Sequence, residues 1–225
     1  MPTVTRTSRT RVRRVPKRGI YDRAVINQVL DAGVLCHVGY VIDGAPYVTP
    51  TLYWREDDRV YWHGSSASRM LRKVIGAEVC LTVSHLDGFV LARSGFHHSV
   101  NYRSVMLFGV AELVSDVAEK RVRLDRFIDS LFPGRADAIR RTTDQELKAT
   151  KLLSMPIDEV SAKIRTGGPV DDEEDYALPI WAGVVPVSTT LGAPDDDGRV
   201  LAGVEIPDHV AGFIAGYGRR VAGEG

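Results

Sequence analysis

The pair Asp43-Gly44 constrains this chain most. It separates two strand-like runs, 34–42 and 47–55, that are rich in β-branched and aromatic residues. Asp-Gly readily adopts the positive backbone angles of a two-residue turn whose twist suits antiparallel strands, so the two runs read as a hairpin. The pattern then recurs. Glu56-Asp57-Asp58 makes a tight turn into a third strand, 59–63. Segments 78–84 and 88–92 read as a further hairpin across Leu86-Asp87-Gly88. Segment 102–114 reads as a long strand, and 152–165 as another in which Pro156 marks an edge position or a bulge. Helical spacing of apolar residues is limited to 22–31, 66–75, 117–131 and 143–150, with Asp22 suited to be an N-cap and Gly33 to be a stop. Short strands with few helices predict a mainly β chain, a closed or partly closed β-barrel with peripheral helices.

Charge divides the chain. Residues 1–18 hold Arg6, Arg9, Arg11, Arg13, Arg14, Lys17 and Arg18 and no acid; since the whole chain of 225 residues is neutral, the remainder carries −7. Such an arm is expected to be solvated and disordered over 1–19. It contains no aromatic residue, and no nucleic-acid-binding motif accompanies it, so a nucleic-acid role is not expected. No apolar run approaches the ~18 residues of a membrane span, and the basic start lacks the apolar stretch of a secretory signal. Cys36 and Cys80 lie in strand-like apolar runs and read as buried free thiols of a cytoplasmic protein, although pairing between them stays open. The acidic run 171–175 reads as a solvated loop, and 204–210 as one last short element.

Hydrolytic chemistry has no support, because no serine sits in a nucleophile elbow and no cysteine has an activating neighbour. No metal site is expected either. His97 and His98 are adjacent and would point to opposite faces of a strand, and no Cys/His pair has ligand spacing.

An anion is better served. The run 63–73 passes from a strand into small hydroxyl residues and then into a helical segment. Backbone N–H groups at a helix start, serine hydroxyls and Arg69 then converge, which suits a phosphate; an ordinary serine-capped helix fits the same residues.

Several motifs in one order add to this. They are 44–53 (Gly-Ala-Pro-Tyr-Val-Thr-Pro-Thr-Leu-Tyr), the 63–73 run, Asp87-Gly88-Phe89-Val90-Leu91-Ala92-Arg93-Ser94, and 97–111 with Asn101-Tyr102-Arg103-Ser104. Ser161-Ala162-Lys163-Ile164-Arg165-Thr166-Gly167 and Pro179-Ile180-Trp181-Ala182-Gly183 complete the set. Together they resemble the flavin-nucleotide-binding branch of the pyridoxamine 5'-phosphate oxidase-like family, which includes nitroimidazole-resistance proteins. The resemblance spans about 21–187. It implies an FMN-binding split β-barrel over 20–187, with 188–225 as an extension packed on or beside it, and a homodimer with FMN at the interface.

The resemblance also implies roles. FMN phosphate would lie near Ser68 and Arg69, with His63 and Ser65 beside it. Thr49, Pro50 and Thr51 would run under the ring, and Asn101, Tyr102, Arg103 and Ser104 would contribute to the pocket. Other readings remain open: β-propensity for Thr49 and Thr51, and a surface carboxylate partner for Arg103. Lys163 and Arg165 lie on one face of a strand and would hold a cofactor or substrate anion, or else face solvent opposite the acidic loop. Trp181 would cover the flavin or serve as a core or interface aromatic. Some distant relatives of the fold bind haem, which leaves interest in His97, His98 and His209, and the deazaflavin F420 is a further possibility. The basic C-terminal pattern for a substrate phosphate, typical of the vitamin B6 oxidases, is absent. The expected activity is an FMN-dependent oxidoreductase that passes electrons from NAD(P)H or a substrate to a small organic molecule, with nitro-aromatics as candidates. No protein nucleophile is expected, so the catalytic residues are unassigned. The alternative is a flavin carrier, store or sensor without turnover.

Overall fold

The turn at Asp43-Gly44 forms with φ of 52° and 79°, the mirror-image geometry that joins twisted antiparallel strands. It links β2 (Leu35–Ile42) to β3 (Ala45–Glu56), with Ile42 opposite Ala45. Asp57, at φ 49°, makes the next turn into β4 (Arg59–Ser65). This computed structural model describes residues 3–222. Among them the other strands are β1 (Gly19–Ile20), β5 (Glu78–Leu91), β6 (Ser99–Val110), β7 (Glu112–Leu113), β8 (Thr150–Pro156), β9 (Glu159–Arg165) and β10 (Gly183–Pro186). They form one antiparallel sheet in the order β1-β9-β6-β5-β2-β3-β4-β8-β7, with β10 added to β5. The two ends of this order do not pair. The sheet is therefore a split barrel, curled but not closed.

Alternation along the strands sets two faces. The inner face buries Cys36, Val38, Leu81, Val83, Val105 and Leu107, together with Val60, Trp62, Leu153 and Met155. Helix α1 (Arg23–Asp31) plugs this core with Ile26, Val29 and Leu30, and Asp22 caps it by accepting the Val25 N–H at 3.1 Å. Full burial of each such aliphatic side chain stabilises by roughly 1.5–3 kcal/mol. A second, smaller cluster of Trp54, Tyr61, Val114, Phe127 and Leu152 joins the sheet to α3 (Val117–Leu131). Helices α2 (Arg69–Val74), α4 (Arg135–Ala138), α5 (Asp144–Ala149) and α6 (Asp208–Ala222) complete the described chain.

Several local expectations change. There is no hairpin across Leu86-Asp87-Gly88: β5 runs on for 14 residues, and the turn-like triplet is a β-bulge against β6. The extra residue turns Asp87 towards Arg103, which grips its carboxylate with two N–H groups at 2.8 and 3.0 Å. Segment 152–165 is two strands rather than one, with Pro156 ending β8. The short element expected at 204–210 is instead the start of the 15-residue α6. Its Phe213 packs 4.7 Å from Phe132, beyond the end of α3. Gly33 directly follows Ala32, the C-cap of α1, where the stop was expected, and a Cβ there would also lie 2.6 Å from the His85 ring.

The basic arm lies on the sheet rather than free in solvent. Val4 N–H donates to Tyr21 O at 2.8 Å, and the Tyr21 hydroxyl donates to Thr10 O at 3.0 Å. Arg9 bridges Glu78 and Glu159. The acidic run is not wholly solvated either. The Asp171 side chain is fully buried against Arg93, 3.0 Å from its guanidinium and 2.9 Å from its backbone N–H. Burial opposes the Asp171 charge, but these contacts outweigh it and hold the carboxyl below its usual range.

Candidate functional site

Strand β3 pairs with β2 from Ala45 to Leu52, yet it meets β4 only from Tyr53 to Glu56. Beyond that point β4 leaves for β8, which it accompanies as far as Ser65. Among the described residues, 45–52 therefore have no strand on their second edge. Alternate backbone N–H and C=O groups of such an edge are available to a ligand. This split is a candidate site.

One wall carries Thr49, Pro50 and Thr51. The register puts Thr49 and Thr51 on the face shared with Tyr40 and Tyr47, and Pro50 on the opposite face. The Thr49 hydroxyl lies 2.8 Å from the Tyr40 hydroxyl, and the Tyr40 and Tyr47 rings stack at 5.6 Å. The other wall leads from the end of β4 into α2. Arg69 projects over the Tyr47 ring, 5.5 Å from its centroid, and reaches Asp43 at 3.9 Å. The two walls thus meet through Arg69 and Tyr47. The sequence reading did not single out Tyr40 and Tyr47, although the turn register alone makes them a cross-strand pair.

Two of the expected phosphate contacts have local duties. The Ser68 hydroxyl accepts the Leu71 N–H at 3.3 Å as the α2 cap, and Ser65 Oγ accepts the Ala67 N–H at 3.2 Å. His63 turns to the second cluster, 4.6 Å from the Phe127 ring and 6.0 Å from Trp54. Burial lowers its pKa, and its buried Nδ1 has no partner among the described residues.

The remaining expected residues lie across the sheet, on β6 and β9 and in the 180s. Arg103 is committed to Asp87. Ser104 donates to the Lys163 carbonyl at 3.2 Å. Asn101 is buried and joins Gly167 O, at 3.1 Å, to the Arg165 guanidinium. Tyr102 stands opposite Arg165 in the β6–β9 register. Lys163 and Arg165 line a separate cavity with His97 and His98. Trp181 is 68% exposed and lies over Gly183, which leaves it available to a partner or ligand rather than to the core.

Leu35, Val48, Leu52 and Met106 share the outer face of the sheet and are each more than a third exposed. No group of three or more metal-ligating side chains occurs among the described residues. Cys36 and Cys80 are free, and burial raises the Cys36 thiol to about 12, too high for a reactive thiolate. No described helix is long and apolar enough to cross a membrane.

The sequence pattern that defines the pyridoxamine 5'-phosphate oxidase family matches residues 22–164. Among solved structures, the flavocytochrome Anf3 from Azotobacter vinelandii is 47% identical and superimposes with a TM-score of 0.89, over 92% of this chain and 96% of its own. The FAD and heme binding protein from Mycobacterium smegmatis is 39% identical, with a TM-score of 0.85 over 88% of this chain and 97% of its own. A putative 5-nitroimidazole antibiotic resistance protein from Bacteroides thetaiotaomicron is 26% identical, with a TM-score of 0.54 over 65% of this chain and 86% of its own. Comparison with curated proteins finds no match.

Proposed function

This chain belongs to the pyridoxamine 5'-phosphate oxidase family, and from that membership we propose that it is a flavin-dependent oxidoreductase whose flavin lies in the split between β3 and β4. The observation that carries this reading is the open edge of residues 45–52, faced by Arg69. The pyrimidine edge of a flavin alternates hydrogen-bond donors and acceptors, as a free strand edge does. The donor set fits. Thr49 and Tyr40 offer hydroxyls, Tyr47 offers a ring face, and Arg69 offers a guanidinium that can fork onto phosphate. Bound there, the flavin would supply hydride and single-electron transfer between NAD(P)H and a small acceptor. The protein's own part is to hold the phosphate with Arg69, to align the ring along 45–52, and to keep water from one face with Tyr47. FMN follows from the motifs; the name of the mycobacterial relative favours FAD. The exposed outer face with Leu35, Val48, Leu52 and Met106 supports a homodimer, in which a second copy covers that face and the split together.

Haem is a second group that the relatives' names raise. Two relatives carry it in their names, as a flavocytochrome and as a heme binding protein. In this chain His63 Nδ1 and His209 Nε2 are both buried without partners. His209 stands in α6 next to Val210, which lines a cavity of about 500 Å³ together with Phe132, Val204, Ile206, Arg135 and the acids Asp195, Asp196 and Glu205. An imidazole with an unpartnered nitrogen could hold a haem, which would supply a one-electron redox centre, although Asp195, Asp196 and Glu205 would oppose its propionates in this cavity.

The test is the absorbance spectrum of the purified protein before and after anaerobic NADPH, with the extracted flavin identified by chromatography. Flavin bands that bleach support the oxidoreductase, and a Soret band lost in His209→Ala supports haem. Bands that persist with every reductant leave the carrier reading. A colourless protein that takes up no added FMN or FAD sinks the flavin proposal.

A further inference from the structure

A second chamber, far along the sheet from the β3–β4 split, has a charge that the flavin reading does not explain. It measures about 510 Å³ and is lined by Arg14, Arg18, His97, His98, Lys163 and Arg165, with Phe96 at its rim. Arg165 is 8% exposed. Its guanidinium reaches only uncharged oxygens: Asn101 Oδ1, Gly167 O at 3.3 Å and Gly168 O at 3.2 Å. Its buried Nε has no partner.

Among the described residues no carboxylate pairs with Arg14, Arg18, Lys163 or Arg165. Asp172, two residues beyond Val170 of the chamber wall, lies 3.3 Å from His97. A buried cation without a counter-ion is costly, and neighbouring like charges add to the cost. Burial, then Arg18, push the Arg165 pKa down from its usual range. The chain also strains its backbone here. Val15, a β-branched residue, sits at φ 53° and ψ 66°, at the bend of the arm between Arg14 and Arg18. Arg9 of the same arm, by contrast, lies between Glu78 and Glu159.

We propose that this chamber binds the phosphate groups of a nucleotide, as the missing counter-ion of Arg14, Arg18, Lys163 and Arg165. Four cations around one chamber match a diphosphate better than a single carboxylate does. Arginine forks suit phosphate oxygens, and the Arg165 Nε–H is a donor still to be used. Phe96 is 91% exposed beside the chamber and stands edge-on to His97 at 5.2 Å, where its face can carry the planar ring of a nucleotide. The source is a nucleotide separate from the flavin, such as a dinucleotide electron donor; this rests on the flavin reading, which puts the flavin's own phosphate on Arg69.

The experiment is calorimetric titration of ADP into the full-length protein, both as purified with its chromophore and after removal of the flavin. Wild type, Lys163→Gln and Arg18→Gln are compared, with circular dichroism to confirm folding. Each cation contributes charge-assisted bonds, so each variant should bind ADP about tenfold more weakly or worse. Binding to the flavin-loaded protein identifies a separate nucleotide. Binding only to the flavin-free protein, in competition with FAD, places ADP in the flavin's own site and overturns the proposal. No heat with either form, or equal affinity in folded variants, overturns the proposal. The heat of ADP binding is read independently of any colour, so a protein without flavin that still binds ADP would fail the flavin reading and keep this one.

Discussion

Arg69 and Arg165 both stand where an anion is expected, and they differ in everything except charge. Arg69 is 60% exposed on its side chain, with water around it and Asp43 at 3.9 Å. Arg165 is buried, rigidly held by neutral oxygens, and opposed by no carboxylate. An exposed arginine costs little to keep and gains little from a partner until a ligand excludes water. A buried one must be offset by something, and the chain supplies only dipoles. The contrast separates a site that a ligand completes by covering it from one that a ligand completes by neutralising it.

The strongest test of this contrast uses a buried ion that does have its partner. Asp171→Asn removes the charge that Arg93 faces at 3.0 Å, and should lower the urea midpoint more than any other variant here. An unchanged midpoint would mean that burial does not govern these charges. Arg165→Gln comes next. It strips charge-assisted bonds from Asn101, Gly167 and Gly168 but also relieves an unneutralised cation, so the ligand-free protein should lose about 2 kcal/mol. The same variant should gain no melting temperature from ADP, whereas wild type should gain.

A smaller effect comes from pH. Burial lowers the pKa of His63 and of His85 in the folded state. As pH falls through the ordinary histidine value of ~6.5, the unfolded chain takes up these protons first. Stability is therefore full above that pH and is lost below it. His63→Phe should flatten the melting-temperature profile between about pH 7 and pH 5; an unchanged slope would assign it to other groups. Smallest is Arg69→Ala, which should change stability by less than about 0.5 kcal/mol while loosening flavin through gel filtration. If flavin is retained as firmly as in wild type, Arg69 is a surface residue and the comparison falls.

Much of the architecture was legible in the sequence because turn chemistry is local. Asp43-Gly44 fixed one hairpin and its register, and Asp22 caps the helix expected of it. The triplet at Asp87 misled because a turn and a bulge need the same residues; what decides between them is Arg103, sixteen positions away. Segment 152–165 misled for a similar reason, since its two halves are both strand-like and differ only in their neighbours, β4 and β6. The split itself could not be read from residue types, for it depends on where β4 parts from β3. Lys163 and Arg165 were visible as a pair of like charges on one face. That Arg14, Arg18 and Phe96 join them depends on how the arm folds back, a contact between distant parts of the chain that no local pattern records.

The chain's three tryptophans occupy three different environments, and this makes them separate optical reporters. Trp62 is fully enclosed in the main core, and Trp54 lies in the second cluster with its indole N–H on Glu56 at 2.8 Å. Trp181 stands mostly in solvent. A water-soluble quencher should therefore extinguish one emitter in the native protein and leave the blue-shifted remainder untouched. Assembly or ligand capture would register in the quenched fraction alone, and loss of the core in the protected fraction, so both processes can be followed in one cuvette without a label.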